Sequence, residues 1–242
     1  MTARDDGPLL LEFFDLYKTM GGQPLLDIER LAIRAGTCTL LSGKNGAGKT
    51  TLLKVVAGLE PPDRARVAWH GRTLSWRRAL RQYRRHVVYL HQYPYLFDCS
   101  VSDNIAYGLR QTGVPRAVVE RKVSDALQWA GLSHLAARNA RELSGGEKQR
   151  VALTRAWVLS PEVLLLDEPV ASMDQDAREQ TVHLIRRFKS EGMALVITSH
   201  ELQPILPLGD VHLRLDEGRL QPVPPPPPQA ARIVDIRQGG LR

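Results

Sequence analysis

Cysteine is scarce in this chain. Cys38 and Cys99 are the only two among 242 residues, far apart and with no CxxC or Cys/His spacing. Neither a disulfide framework nor a zinc site is supported, and both thiols are expected to be free. Long apolar runs are missing too. None approaches the ~20 residues that cross a bilayer, and the run Val163 to Leu166 is cut off at once by Asp167 and Glu168. The chain is not expected to span a membrane by itself. Near the N-terminus, Asp5 and Asp6 precede a short apolar stretch that Glu12 interrupts, which is the wrong charge order for a secretory signal. A cytoplasmic location is expected.

What is present suits a folded domain. The 43% hydrophobic and 24% charged residues exclude wholesale disorder. The length allows one large domain, or one with a smaller insertion, but not two full catalytic domains. A net charge of +7 suits phosphate ligands, nucleic acid or an anionic membrane surface without choosing among them.

Residues 9 to 42 alternate short apolar segments with turn residues and end in the β-type run Thr37 to Ser42. Thr50 to Leu59 then predicts a helix, with Leu52, Leu53, Val56 and Leu59 on a period near 3.6 and Gly58 near its end. From Arg72 to Arg85 there are six arginines and no acidic residue. Trp76, Ala79, Leu80 and Tyr83 recur there at helical spacing, so a short amphipathic helix with a solvated basic face is expected. A strand at Val87 to Leu90 follows. Residues 101 to 160 are mostly helical in pattern, and further strands at Val163 to Leu166 and Ala194 to Thr198 flank a helix across 175 to 190. This alternation argues for a mainly parallel α/β sheet. Pro222 and the run Pro224 to Pro228 cannot enter a helix or sheet interior, so an extended, stiff linker should end the globular part.

Three stretches carry chemistry. Gly43-Lys44-Asn45-Gly46-Ala47-Gly48-Lys49-Thr50 fits G-x-x-x-x-G-K-S/T between a predicted strand and a predicted helix, the context that gives this pattern meaning. Its glycines let backbone N–H groups turn onto a phosphate, Lys49 supplies charge for the β and γ oxygens, and Thr50 offers a hydroxyl to Mg²⁺. Val163 to Pro169 is an apolar strand that delivers Asp167 and Glu168 to its C-terminal end, where open α/β sheets bind ligands. Asp167 can hold the Mg²⁺ shell, and Glu168 can polarise an attacking water. In Leu143-Ser144-Gly145-Gly146-Glu147, Ser144 and Glu147 form a capping box, so a helix should start here and run through Val151, Leu153, Ala156 and Trp157.

With these residues the sequence resembles the ATP-binding cassette ATPases, the nucleotide-binding subunits of ABC transporters, over about residues 10 to 220. The stretch at Ser144 matches the family's signature. Gln92 follows its strand as the family's glutamine loop does, Ala171-Ser172-Met173-Asp174 matches the D-loop, and His200 matches the switch histidine. Tyr17 lies where the family places the aromatic that stacks on adenine, with Phe13 and Phe14 as alternatives more often found in a core. Glu147 stands where glutamine is commonest, and Met173 where leucine is.

The resemblance implies a P-loop NTPase fold: an α/β core with a mainly parallel sheet, an N-terminal antiparallel β subdomain and an inserted helical subdomain. Residues 1–221 would form a single cassette, with 1–92 and 161–221 as the core and 93–160 as the helical part, and 222–242 would be linker and tail. ATP and Mg²⁺ are the implied cofactors. Gly43, Asn45, Gly46, Ala47, Gly48, Lys49, Thr50 and Thr51 would surround the phosphates. Thr50, Gln92 and Asp167 would surround the metal, and Glu168, Gln92 and His200 would form the catalytic set. In a head-to-tail homodimer, Ser144, Gly145 and Gly146 of one cassette would close over the ATP of the other, with Asp174 at the seam.

Only one cassette is present, without the long coiled coils of repair-type relatives, which favours transport. A soluble ATPase acting on nucleic acid and an exporter subunit are the alternatives. The compact cassette, with no room for a C-terminal regulatory domain, looks like the subunits of small bacterial importers. The segments Tyr89 to Phe97 and Asn104 to Leu109 are similar to tungstate and related oxyanion importers. A permease on a separate chain and a solute-binding protein would be its partners, with the cassette peripheral on the inner face of the membrane.

Overall fold

The computed structural model describes residues 7–224. Asp5, Asp6, Pro225 to Pro228 and the tail 229–242 lie outside the described residues.

Two sheets organise the chain. Strands β1 (Leu9–Met20) and β2 (Gln23–Arg34) form a long antiparallel hairpin. After β3 (Cys38–Ser42) and helix α1 (Lys49–Val56), strands β4 (Arg64–Trp69) and β5 (Arg72–Ser75) complete a four-stranded antiparallel sheet in the order β2-β1-β4-β5. The second sheet adds β6 (Val87–Leu90), β7 (Val163–Asp167), β8 (Ala194–Thr198), β9 (Val211–Asp216) and β10 (Arg219–Pro222) to β3, in the order β10-β9-β3-β8-β7-β6. All its pairings are parallel except β9 with β10. Every residue of β7 and of β8 is buried, as continuous apolar strands covered on both faces require.

The antiparallel sheet, α1 and helix α2 (Trp76–Tyr83) close one core around Phe13, Trp69 and Tyr83. On the other face of the parallel sheet, α5 (Gly145–Trp157) and α6 (Gln175–Ser190) cover Leu164, Leu166 and Ile197. A third cluster joins α3 (Val101–Arg110), α4 (Arg116–Trp129) and α5. Where α4 and α5 end, Trp129 stacks on Trp157 with centroids 4.3 Å apart and on Phe188 of α6 at 5.5 Å. The Arg187 guanidinium lies 3.9 Å from the Trp129 ring centre and donates to the Trp129 carbonyl.

Three expectations need correction. The helix expected from Arg72 begins only at Trp76, because His70 and Gly71 both adopt positive φ, 46° and 75°, and turn the chain into a hairpin. Two successive positive-φ residues are the mark of the tight turn that suits twisted strands. Helix α1 stops at Val56 rather than Leu59. Gly58 at φ 75° donates to the Val55 carbonyl and Leu59 donates to that of Lys54, which leaves Leu59 63% exposed. Pro222 is not beyond the sheet but pairs with Leu213 at its outer edge, the place where a missing N–H is tolerated.

Candidate functional site

The loop between β3 and α1 is shaped by close approach. A Cβ on Gly43 would lie 2.5 Å from the Leu215 carbonyl oxygen, and one on Gly48, the residue before the helix at φ 99°, would lie 3.1 Å from the Leu26 side chain and 3.2 Å from that of Leu25. No side chain caps α1. Its first-turn N–H groups therefore stay available to an anion, favoured there by the helix dipole. Lys49 is buried, and its ammonium donates to the carbonyls of Gly43 at 2.8 Å and Lys44 at 3.1 Å. Lys44, Asn45, Gly46 and Thr50 are exposed, and Ala47 and Thr51 are half-buried.

Asp167 ends β7 and is 4% exposed. Thr198 Oγ1 donates to its Oδ1 at 2.6 Å, and the Tyr89 hydroxyl donates to its Oδ2 at 3.0 Å. Burial, and next the Asp167 carboxylate, push the Tyr89 phenol above its ordinary value, so it stays a proton donor. Glu168 follows in the left-handed region at φ 49°, uncommon for a side chain of this size. Its N–H donates to Thr198 Oγ1 at 3.0 Å, and its carboxylate lies 2.8 Å from His200 Nδ1 while accepting the His200 N–H at 3.2 Å. The side chain of Glu168 is 12% exposed and that of His200 51%, so the acid is sheltered and the ring forms the outer wall. The structure thus joins Asp167, Glu168 and His200 across the C-terminal ends of β7 and β8.

Gln92 is half-buried after β6, and among the described residues its amide has no hydrogen-bond partner. Tyr93 and Tyr95 beside it are 68% and 75% exposed, whereas Phe97 packs on Tyr107 at 4.4 Å. Arg155 of α5 donates to the Tyr95 carbonyl and lies over the Phe97 ring. Tyr17 is half-buried, with the Arg64 guanidinium 5.6 Å from its ring centre, while Phe13 is fully buried core.

Ser144 caps α5 by accepting the Glu147 N–H, and the Glu147 carboxylate accepts the Ser144 N–H at 2.7 Å, completing the box. These bonds hold the Glu147 carboxyl below its usual range. Gly146 approaches α6 so closely that a Cβ would lie 2.6 Å from that of Ala177. Asp174 caps α6 through the Ala177 N–H at 2.8 Å. The start of the signature helix is therefore packed on the D-loop helix. No local sequence pattern pairs Thr198 and Tyr89 with Asp167; the one hint is that Thr198 precedes His200 by two positions at a strand end.

Comparison with known proteins agrees with this geometry. The ABC transporter family matches residues 26–171. The sulfate/thiosulfate import ATP-binding protein CysA of Mycolicibacterium paratuberculosis is 34% identical over 92% of this chain and 61% of its own length. The molybdate/tungstate import ATP-binding protein WtpC of Pyrococcus horikoshii is 38% identical over 78% of this chain and 54% of its own length. The spermidine/putrescine import ATP-binding protein PotA of Rubrobacter xylanophilus is 36% identical over 93% of this chain and 59% of its own length. The chain thus spans less than two thirds of each. Among solved structures, cbiO1 of Clostridium perfringens, part of the ABC transporter complex cbiONQ, superposes with a TM-score of 0.81 at 27% identity, covering 88% of this chain and 87% of that one. An exposed-backbone phosphate loop, an acidic strand end with its histidine and a capped signature helix occur here within a matching family and a matching fold: the chain belongs to the ABC transporter family, as an ATP-binding cassette.

Proposed function

We propose that this chain is the ATP-hydrolysing subunit of an importer, acting as one of two cassettes that ATP draws together head to tail. The observation that carries the hydrolytic reading is the Glu168 carboxylate, sheltered at a strand end beside Asp167 and braced by His200. In this reading Lys49 exchanges the Gly43 and Lys44 carbonyls for the β and γ oxygens of ATP. The first-turn N–H groups of α1 complete the phosphate cradle, and Tyr17 stacks on adenine. The Thr50 hydroxyl, the Gln92 amide oxygen and the Asp167 carboxylate are all hard oxygen donors, a set that fits Mg²⁺, which takes few protein ligands and completes its shell with water and phosphate. Thr50, Gln92 and Asp167 would hold it, and when bound it neutralises charge on the phosphate oxygens. Glu168 accepts a proton from the water that attacks the γ-phosphate, while His200 keeps the acid oriented and reaches the γ-phosphate itself.

The packing of Gly146 on Ala177 supports the dimer. A signature helix seated on its own D-loop helix, with Asp174 beside it, forms one continuous surface that can complete the site of a second copy. Tyr93 and Tyr95, exposed next to Gln92, would meet a membrane-spanning partner on another chain. Among the described residues no helix is long and apolar enough to cross a membrane, so such a partner would supply the translocation path. Two of the three relatives named above are import ATP-binding proteins for sulfate/thiosulfate and for molybdate/tungstate, and a small oxyanion is the proposed cargo.

Complementation in mixed dimers tests this. Lys49→Ala and Ser144→Arg damage opposite faces of one composite site, so a 1:1 mixture should contain dimers with one intact site and recover ATPase activity that neither variant has alone. Mixtures as inactive as the parents, together with a monomeric mass in ATP for Glu168→Gln even with the permease supplied, would overturn the reading.

A further inference from the structure

The carboxylate of Asp167 is gripped from both neighbouring strands. Thr198, which donates to Oδ1 at 2.6 Å, pairs with Asp167 in the register of β7 and β8. Tyr89, which donates to Oδ2 at 3.0 Å, comes from β6, where it pairs with Leu165. Burial alone does not demand the second bond. Tyr83 is fully buried and its hydroxyl has no partner, whereas the less buried Tyr89 directs its hydroxyl to a carboxylate 78 positions away. An ionised carboxylate offers about four lone-pair positions. With one donor on each oxygen, Asp167 is fixed in rotation and still keeps acceptor capacity on both.

We propose that Tyr89 is a positioning residue of the metal site, its hydroxyl setting the orientation in which Asp167 meets Mg²⁺. The proposal rests on Asp167 being a metal ligand, as above. Ligating carboxylates depend on such outer hydrogen bonds, and losing one commonly weakens metal affinity about 10–100-fold. Because Thr198 remains as a second strut, the loss here belongs at the low end. Tyr89 also lies on the strand that leads into Gln92, so the same bond ties the metal ligand to the glutamine loop.

Mn²⁺ binding to the full-length chain in its ADP complex, followed by electron paramagnetic resonance, reads this directly. Tyr89→Phe should raise the Mn²⁺ dissociation constant about tenfold and alter the Mn²⁺ spectrum. Metal-free ADP affinity and melting temperature should stay at parental values. In turnover, KM for Mg²⁺ should rise while kcat recovers at saturating Mg²⁺. Asp167→Asn is the companion variant. If it loses Mn²⁺ and Tyr89→Phe keeps parental affinity and spectrum, the role of Tyr89 is overturned and the metal reading stands. If Asp167→Asn binds Mn²⁺ as the parent does, both fall. A Tyr89→Phe protein that melts far lower and loses metal-free ADP binding would make the hydroxyl structural and also overturn the proposal.

Discussion

The carboxylate of Glu168 and the Nδ1 of His200 lie 2.8 Å apart, bridging the ends of two adjacent strands. The same carboxylate accepts the His200 backbone N–H, so the acid keeps an anchor whatever the ring does. Glu168→Gln preserves size and can still accept from that N–H, but it cannot take a proton from water. ATP turnover should fall by at least about 10²-fold while ATP binding survives. Phosphate release and nucleotide retention measured on the same preparation check this, and parental turnover would remove Glu168 from the base role.

Lys49→Ala acts earlier in the cycle. The ammonium is the buried charge of the phosphate loop and already holds two of its carbonyls. Its removal costs both the counter-charge and the loop's shape. Nucleotide affinity by calorimetry should fall at least about tenfold, consistent with charge-assisted bonds of roughly 1.5–3 kcal/mol.

Tyr95 and Phe97 should part company. Tyr95 is largely solvent-exposed, so Tyr95→Ala should change stability by less than about 0.5 kcal/mol and show its effect only in co-purification with a permease. Phe97 is half-buried between Tyr107, Tyr95 and the Arg155 guanidinium. Phe97→Ala should lower the melting temperature measurably, with a stability loss smaller than the roughly 3–5 kcal/mol of a fully buried ring. Equal melting shifts for the two would contradict the packing described.

Burial pushes the Cys38 thiol up from 9.0 to about 12. Because the folded value exceeds the unfolded one, the thiol's contribution to stability is complete below about pH 9 and is lost as pH rises toward 12. Labelling of Cys38 by a thiol reagent at pH 8 should therefore track global unfolding. Denaturant midpoints of Cys38→Ala should fall less steeply than the parent's between pH 9 and 11.

Much of this site was legible because its parts are local. The phosphate loop, the acidic strand end and the S-x-x-E box each lie within eight residues, and spacing alone proposes their chemistry. Two of the three corrected boundaries turn on backbone torsions, and the third on Pro222 taking an edge position in the sheet. His70 adopting positive φ carries little sequence signal, since Asn-Gly or Asp-Gly is the usual mark of such a turn, so the β4–β5 hairpin was hidden inside an arginine-rich helical pattern. Leu59 fitted the helical period but fell beyond the left-handed Gly58. The clamp on Asp167 was out of reach for another reason. Tyr89 and Thr198 come to it from opposite sides along the chain, and only strand order makes them neighbours.

The stacked indoles of Trp129 and Trp157 form an optical pair. Rings 4.3 Å apart and tilted by 10° are close enough for their electronic transitions to couple, and the Arg187 cation lies over the Trp129 face. One ring closes α4, the other closes α5, and Phe188 beneath them belongs to α6. Movement of α4 against α5 and α6 shears this stack. The protein therefore carries a built-in gauge of that motion, readable by circular dichroism or fluorescence without an added dye.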